Sequence, residues 1–326
     1  MWLRGRLAQL TLAVTILTLG LSAHGADDKS KHKKDKDINV DGKAVLWREP
    51  ADIASLNLLL GPGGEEMKPD LSKVTFISEE KGGYSKKYRV TDGSGRTWVV
   101  KIGKEAQAET AATRLLWAVG YTTDTTYLVP RVTIEGKGTF QNARFEARPK
   151  GVKRLDIWQW DHNPFVGTQE LQGLKIMMLL LDNWDIKDSN NRILRVRNEQ
   201  TGEDELRYAI SDLGATLGKT GGAIARSRNN PADFTKAKFV GAVKGNRVDF
   251  HYSGKQQNLF RDLTVDQAKW VGQLLSRLSD EQIADAFRAA NYSAEEIQML
   301  TGAVRARINE LNALPQTQQA GRERVQ

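Results

Sequence analysis

The sequence predicts an α+β fold in two lobes: a small N-terminal lobe built on an antiparallel sheet with one main helix, then a mostly helical C-terminal lobe. Three observations carry this expectation. Residues 73–103 run through three segments of strand character separated by glycine-containing turns. One segment of helical period follows at 104–121, and two more strands end near Pro149. Beyond residue 260 the chain is punctuated by three helix-start signals.

In order, "KVTFISEE" (73–80) and "KKYRVTD" (86–92) are the first two strands, and "GSG" (93–95) turns the chain into the third, "RTWVVKIG" (96–103). "KEAQAETAATRLLWAVGY" places Ala108, Ala111, Ala112, Leu115, Leu116 and Val119 at helical spacing and closes on Gly120, a helix stop signal. "YLVPRVTIEGKGTFQNARFEARPK" (127–150) returns to strand character, so the lobe reads β-β-β-α-β-β over 44–149. The second lobe, 150–312, opens with "TQELQGLKIMMLLLDN" (168–183), a helix apolar around most of its circumference and therefore expected to be buried. A hairpin follows, "RILRVRN" and "ELRYAISD" around the turn "EQTGED". Thr264 and Gln267, Ser279 and Gln282, and Ser293 and Glu296 stand at capping-box spacing. Residues 313–326 are expected to form a disordered tail.

The first 25 residues carry Arg4 and Arg6, an apolar run from Leu10 to Leu21, and small residues Ala23 and Gly25. That is the pattern of a cleaved secretory signal peptide, and residues 26–43 read as a flexible charged linker. The chain is therefore expected to be exported, to a bacterial periplasm or beyond, with no membrane span once the signal is removed. It has no cysteine, so disulfides, thiol catalysis and thiolate metal sites are excluded. Loss of Arg4 and Arg6 takes the formal net charge from +8 to +6. With aromatics at 7% and not interleaved with basic clusters, nucleic acid is not an expected partner. Outside the leader and linker the histidines are His162 and His251, and no helical H-E-x-x-H or G-x-S-x-G occurs. The remaining chemistry is carboxylate, ammonium and amide, the set suited to phosphate and magnesium.

These groups cluster after the buried-looking helix. "DIKDSN" (185–190) puts Lys187 two positions and Asn190 five positions after Asp185, and Asp212-Leu213-Gly214 follows the hairpin. Upstream, Lys101 ends the strand "WVVK", Glu109 lies on the next helix, and "KGGYSK" (81–86) joins the first two strands. Taken together and in this order, these residues resemble the protein-kinase-like fold: H-R-D-L-K-x-x-N is matched from its aspartate on, D-F-G appears as D-L-G, and V-A-I-K as "WVVK". The departures are similar to atypical kinases of the HipA-type, phosphoinositide-kinase-like and secretory-pathway groups. Asn183-Trp184 replaces His-Arg, no A-P-E follows D-L-G, and a basic Gly-rich stretch stands there instead.

The resemblance implies a Mg2+-dependent phosphotransferase using ATP or another nucleotide and an unidentified hydroxyl acceptor. Asp185 would orient the attacking hydroxyl and Lys187 would offset charge on the moving phosphoryl group. Asn190 and Asp212 would hold the metal. Lys101 would contact phosphates, paired with Glu109 or equally Glu105, and Gly82 and Gly83 would bring backbone amides to phosphate oxygens. Residues 147–149 would form the interlobe hinge beside the adenine. Export would place this cleft where ATP is scarce, so a different phosphate donor, or a silent binding module, is the alternative expectation.

Overall fold

The computed structural model describes residues 41–81 and 85–316. The expected signal peptide, all but residues 41–43 of the expected linker, Gly82 and Gly83 lie outside the described residues. Among the described residues no helix is long and apolar enough to cross a membrane.

The chain enters on β1 (Lys43–Val45), and then a meander of β2 (Thr75–Glu80), β3 (Lys86–Thr91) and β4 (Thr97–Ile102) leads to α1 (Glu105–Ala118), β5 (Thr126–Ile134) and β6 (Gly138–Ala147). These form a five-stranded antiparallel sheet of order β2-β3-β4-β6-β5, as the β-β-β-α-β-β reading anticipates. Strand period decides its two faces. Tyr88, Val90, Trp98, Val100, Phe145 and Ala147 point to one side and pack with Tyr127 and Val129 into an apolar core. Lys87, Arg89, Val99, Lys101, Arg144 and Glu146 occupy the alternate positions, and the register sets Lys87 opposite Lys101 and Lys101 opposite Arg144.

Only Gly103, at a φ of 114°, and Lys104 stand between β4 and α1, so the strand does pass almost directly into the helix. At the far end Gly120 has a φ of 94°, and a Cβ there would meet the Arg48 carbonyl oxygen at 2.1 Å, which restricts the position to glycine.

The second lobe contains β7 (Val152–Arg154), α2 (Gln169–Leu180), β8 (Asn191–Arg197), β9 (Asp204–Ile210), α3 (Pro231–Lys236), β10 (Val240–Lys244), β11 (Arg247–Phe250), α4 (Val265–Ser276), α5 (Asp280–Arg288) and α6 (Ala294–Asn312). The three anticipated capping boxes start α4, α5 and α6. Two assignments change. β1, placed at the linker's end and the start of the N-terminal lobe, pairs in parallel with β9 and completes a second sheet of order β1-β9-β8-β7. A three-residue strand carries too little periodicity to show which sheet will take it. Leu314, placed in the disordered tail, is buried, and its carbonyl accepts a bond from Lys269 at 2.7 Å.

Candidate active site

The end of α2 aims the D-x-K-x-x-N segment. Thr168 caps the helix start by accepting from the Leu171 amide. At its other end Asp182 takes a left-handed φ of 52° while the Asp182 and Asn183 amides bond back to the carbonyls of Leu179 and Met178. Glycine is the usual residue at such a cap. Here the strain is offset by Arg307 of α6, which pairs with the Asp182 carboxylate at 2.7 Å and also donates to the Leu180 carbonyl. The chain then runs without regular structure, tightened where the Lys187 amide bonds the Asp185 carbonyl at 2.8 Å, burying Trp184 and Ile186 and leaving Asp185 and Lys187 partly exposed. Asn190 folds back to donate from Nδ2 to the Asp185 carbonyl at 2.5 Å. The Ser211 amide bonds the Asn190 carbonyl at 2.9 Å at the end of the β8–β9 pair, which brings Asp212 next to Asn190.

Lys101, Glu109, Asp185, Lys187, Asn190 and Asp212 all line one cleft of about 640 Å³ between the sheet and the second lobe. Gly82 and Gly83 lie outside the described residues, although Lys81 beside them lines the same cleft. His162 and His251 are exposed elsewhere.

The Lys101 ammonium lies 2.6 Å from Glu109, 3.2 Å from Asp212 and 3.4 Å from Glu105. Of the two candidate partners, Glu109 is the closer. Glu105 is engaged by the Ser85 hydroxyl at 2.6 Å and by Arg228, so it ties α1 to the segment after D-L-G. Gly214 is required there by close approach, since a Cβ would come within 2.7 Å of the Glu105 Cβ. Burial disfavours the Lys101 charge, yet Glu109 and Asp212 outweigh it and hold its pKa above the usual lysine value. For Asp212 burial likewise opposes ionisation, but Lys101 and the Gly214 amide hold its pKa below the ordinary carboxylate range. Both groups are therefore charged at neutral pH.

Sequence reasoning missed several neighbours. Arg144, 1% exposed, bridges Glu109 at 2.5 Å and Glu146 at 2.6 Å, and Glu146 also receives Arg148 and Arg154. Arg154 in turn pairs with Asp124 at 2.5 Å. Strand period in "ARFEARP" could have placed Arg144, Glu146 and Arg148 on one face; their partners depend on register. Lys255 reaches Asp185 Oδ1 at 2.8 Å while Lys187 lies 3.2 Å from Oδ2, and no local pattern marks Lys255. Trp184, in place of the family's arginine, lies under Arg226 and Arg228 and donates to the Ser227 carbonyl, pinning the basic Gly-rich stretch against the loop.

The residues fit magnesium in donor type. Asp212 is an ionised carboxylate whose Oδ1 is used by Lys101 and Gly214, and Asn190, donating through Nδ2, keeps its amide oxygen as a donor atom. No group of three or more His, Cys, Asp or Glu able to hold a metal occurs among the described residues. Two protein oxygens, with phosphate and water supplying the rest, is a magnesium pattern rather than a closed cage.

A meander sheet with a lysine–glutamate pair to its helix faces a loop of aspartate and asparagine and a second aspartate across one cleft. The fold is protein-kinase-like. No known family profile matches the chain, and no curated protein does. Among solved structures it is similar to the Helicobacter pylori proinflammatory kinase CtkA, at 13% identity and a TM-score of 0.44, covering 75% of this chain and 94% of that one. It is also similar to the Rio2 kinase of Chaetomium thermophilum, solved as an ADP/Mg2+-phosphoaspartate complex, at 13% identity and a TM-score of 0.33, covering 74% and 72%.

Proposed function

We propose that this kinase-like chain is a Mg2+-dependent phosphotransferase that moves a terminal phosphoryl group from a nucleotide or another phosphoanhydride to a hydroxyl acceptor. The observation that carries the reading is the shared cleft of Lys101, Asp185, Asn190 and Asp212, four groups separated by up to 111 positions in sequence. Phosphoryl transfer needs little covalent chemistry from the protein and depends on charged groups held in place. Lys101, braced by Glu109, offers a permanent ammonium to phosphate oxygens. Asn190 and Asp212 would hold the metal, which when bound draws charge from the phosphoryl oxygens. Asp185 orients the hydroxyl and receives its proton, and Lys187 and Lys255 lie beside it to offset charge on the transferring group. In the same reading the chain is exported behind the leader at 1–25.

A second reading, a silent binding module, is supported by one observation: a lysine ammonium lies within ion-pair distance of each Asp185 oxygen, at 3.2 Å for Lys187 and 2.8 Å for Lys255. Incubating purified protein with Mg2+, radiolabelled ATP and candidate acceptors separates the two. Phosphotransfer or hydrolysis that disappears in Asp212→Ala supports catalysis. Nucleotide binding without turnover supports the module.

A further inference from the structure

Among the described residues, the inner part of the cleft, unlike the neighbouring pocket lined by Ala147, Pro149, Val152, Leu194 and Val196, lacks what a purine slot requires. Such slots bury a flat base between apolar walls. Of the 24 described side chains lining this cleft, twelve are Lys or Arg, six are Asp or Glu, and Val99, Trp184 and Ala215 are the apolar ones among them. Two arginines already cover the Trp184 ring.

The acids do not satisfy all the cations. Glu105, Glu109, Glu146, Asp185 and Asp212 are each occupied by cations described above. Lys87, Arg192 and Arg226 line the same cleft, and among the described residues none of them forms an ion pair with a carboxylate. Arg192 donates to the backbone carbonyls of Ser189 and Asn191. Lys87 stands opposite Lys101 across the β3–β4 pair. Partly buried cations set beside other cations call for an anion.

We infer that the cleft takes a linear condensed phosphate, charged from the Lys101–Asp212 centre to Arg192, as phosphoryl donor in place of a nucleoside triphosphate. This rests on the phosphotransferase reading and narrows its donor. One chain of phosphates supplies both the anhydride for transfer and the further negative charge that the inner cations lack. The acceptor hydroxyl oxygen bonds to the terminal phosphorus and the bridging P–O bond breaks. Its electron pair stays on the shortened chain, the hydroxyl proton passes to Asp185, and nothing is oxidised or reduced.

Calorimetric titration of the whole chain with tripolyphosphate and with ATP, each with and without Mg2+, tests this. The expected result is one tripolyphosphate per chain, bound about tenfold more tightly than ATP and strengthened by Mg2+. Arg192→Leu and Lys87→Gln should each weaken tripolyphosphate about fivefold, with unchanged circular dichroism showing that the variants fold. Tighter binding of ATP overturns the donor inference and leaves the phosphotransferase reading standing. Failure of both ligands to bind overturns both. Several tripolyphosphates per chain, indifferent to both substitutions, identify adsorption to a basic surface and also overturn it.

Discussion

The two sides of the cleft carry similar charges in opposite settings. On the sheet side Lys101, Glu109 and Arg144 are each 1% exposed and Glu146 is 4%. On the loop side Asp185 meets Lys187 and Lys255, both more than 40% exposed. A buried ion network gains little stability over apolar packing, because desolvation consumes most of the Coulomb attraction, but it fixes its members and punishes removal of any one. A half-exposed cluster is worth little and rearranges easily. The sheet side is thus built to hold a lysine still, and the loop side to exchange partners.

The largest break in this contrast should come from Arg144→Ala, which strips Glu109 and Glu146 of their shared cation. We expect a loss of about 3–5 kcal/mol in urea unfolding. A loss under about 1 kcal/mol would mean that the network is not closed.

Acid titration sharpens the comparison. Burial raises the Glu146 pKa, but Arg144, Arg148 and Arg154 together overcome it and bring the carboxyl from 4.5 down to about 2. Its contribution, about 3 kcal/mol, is present above pH 4.5 and lost as pH falls through 2. Wild type should therefore lose stability more steeply than Glu146→Gln over that window in denaturant melts; parallel curves would refute the assignment.

Asp182 has one cation instead of three, and there burial wins, raising its pKa from 3.8 to about 6 despite Arg307. The sign reverses: its contribution is full below pH 3.8 and is lost, by about 3 kcal/mol, as pH rises through 6. In Asp182→Asn the thermal midpoint should lack this decline between pH 4 and 6.

The smallest effect on stability belongs to Lys255→Ala, under about 1 kcal/mol. Its readout is transfer or hydrolysis rate, expected to fall about tenfold at unchanged melting temperature. An unchanged rate would remove Lys255 from the transfer step.

The chain order of its motifs placed Lys101, Glu109, Asp185, Asn190 and Asp212 on a strand, a helix and two loops, and period two in "WVVK" set Lys101 apart from Trp98 and Val100. Those features are local, because side-chain alternation and a six-residue loop are properties of the backbone between neighbours. Glu105 and Glu109 stood as equals in sequence since both lie on one face of α1, four residues apart. Distance separated them: Glu109 lies 2.6 Å from Lys101 and Glu105 3.4 Å, with Glu105 also bound by Ser85 and Arg228.

The sequence by itself determined the alternation of strands and helix, the caps, the burial of α2 and the polar loop that follows it. Tertiary structure alone decided which charges meet. Register set Arg144 beside Lys101, the fold carried Lys255 to Asp185 and Arg307 to Asp182, and the second sheet took β1. The reason is physical: elements follow from interactions a few residues apart, whereas pairing between charges depends on relative positions that packing of the whole chain sets.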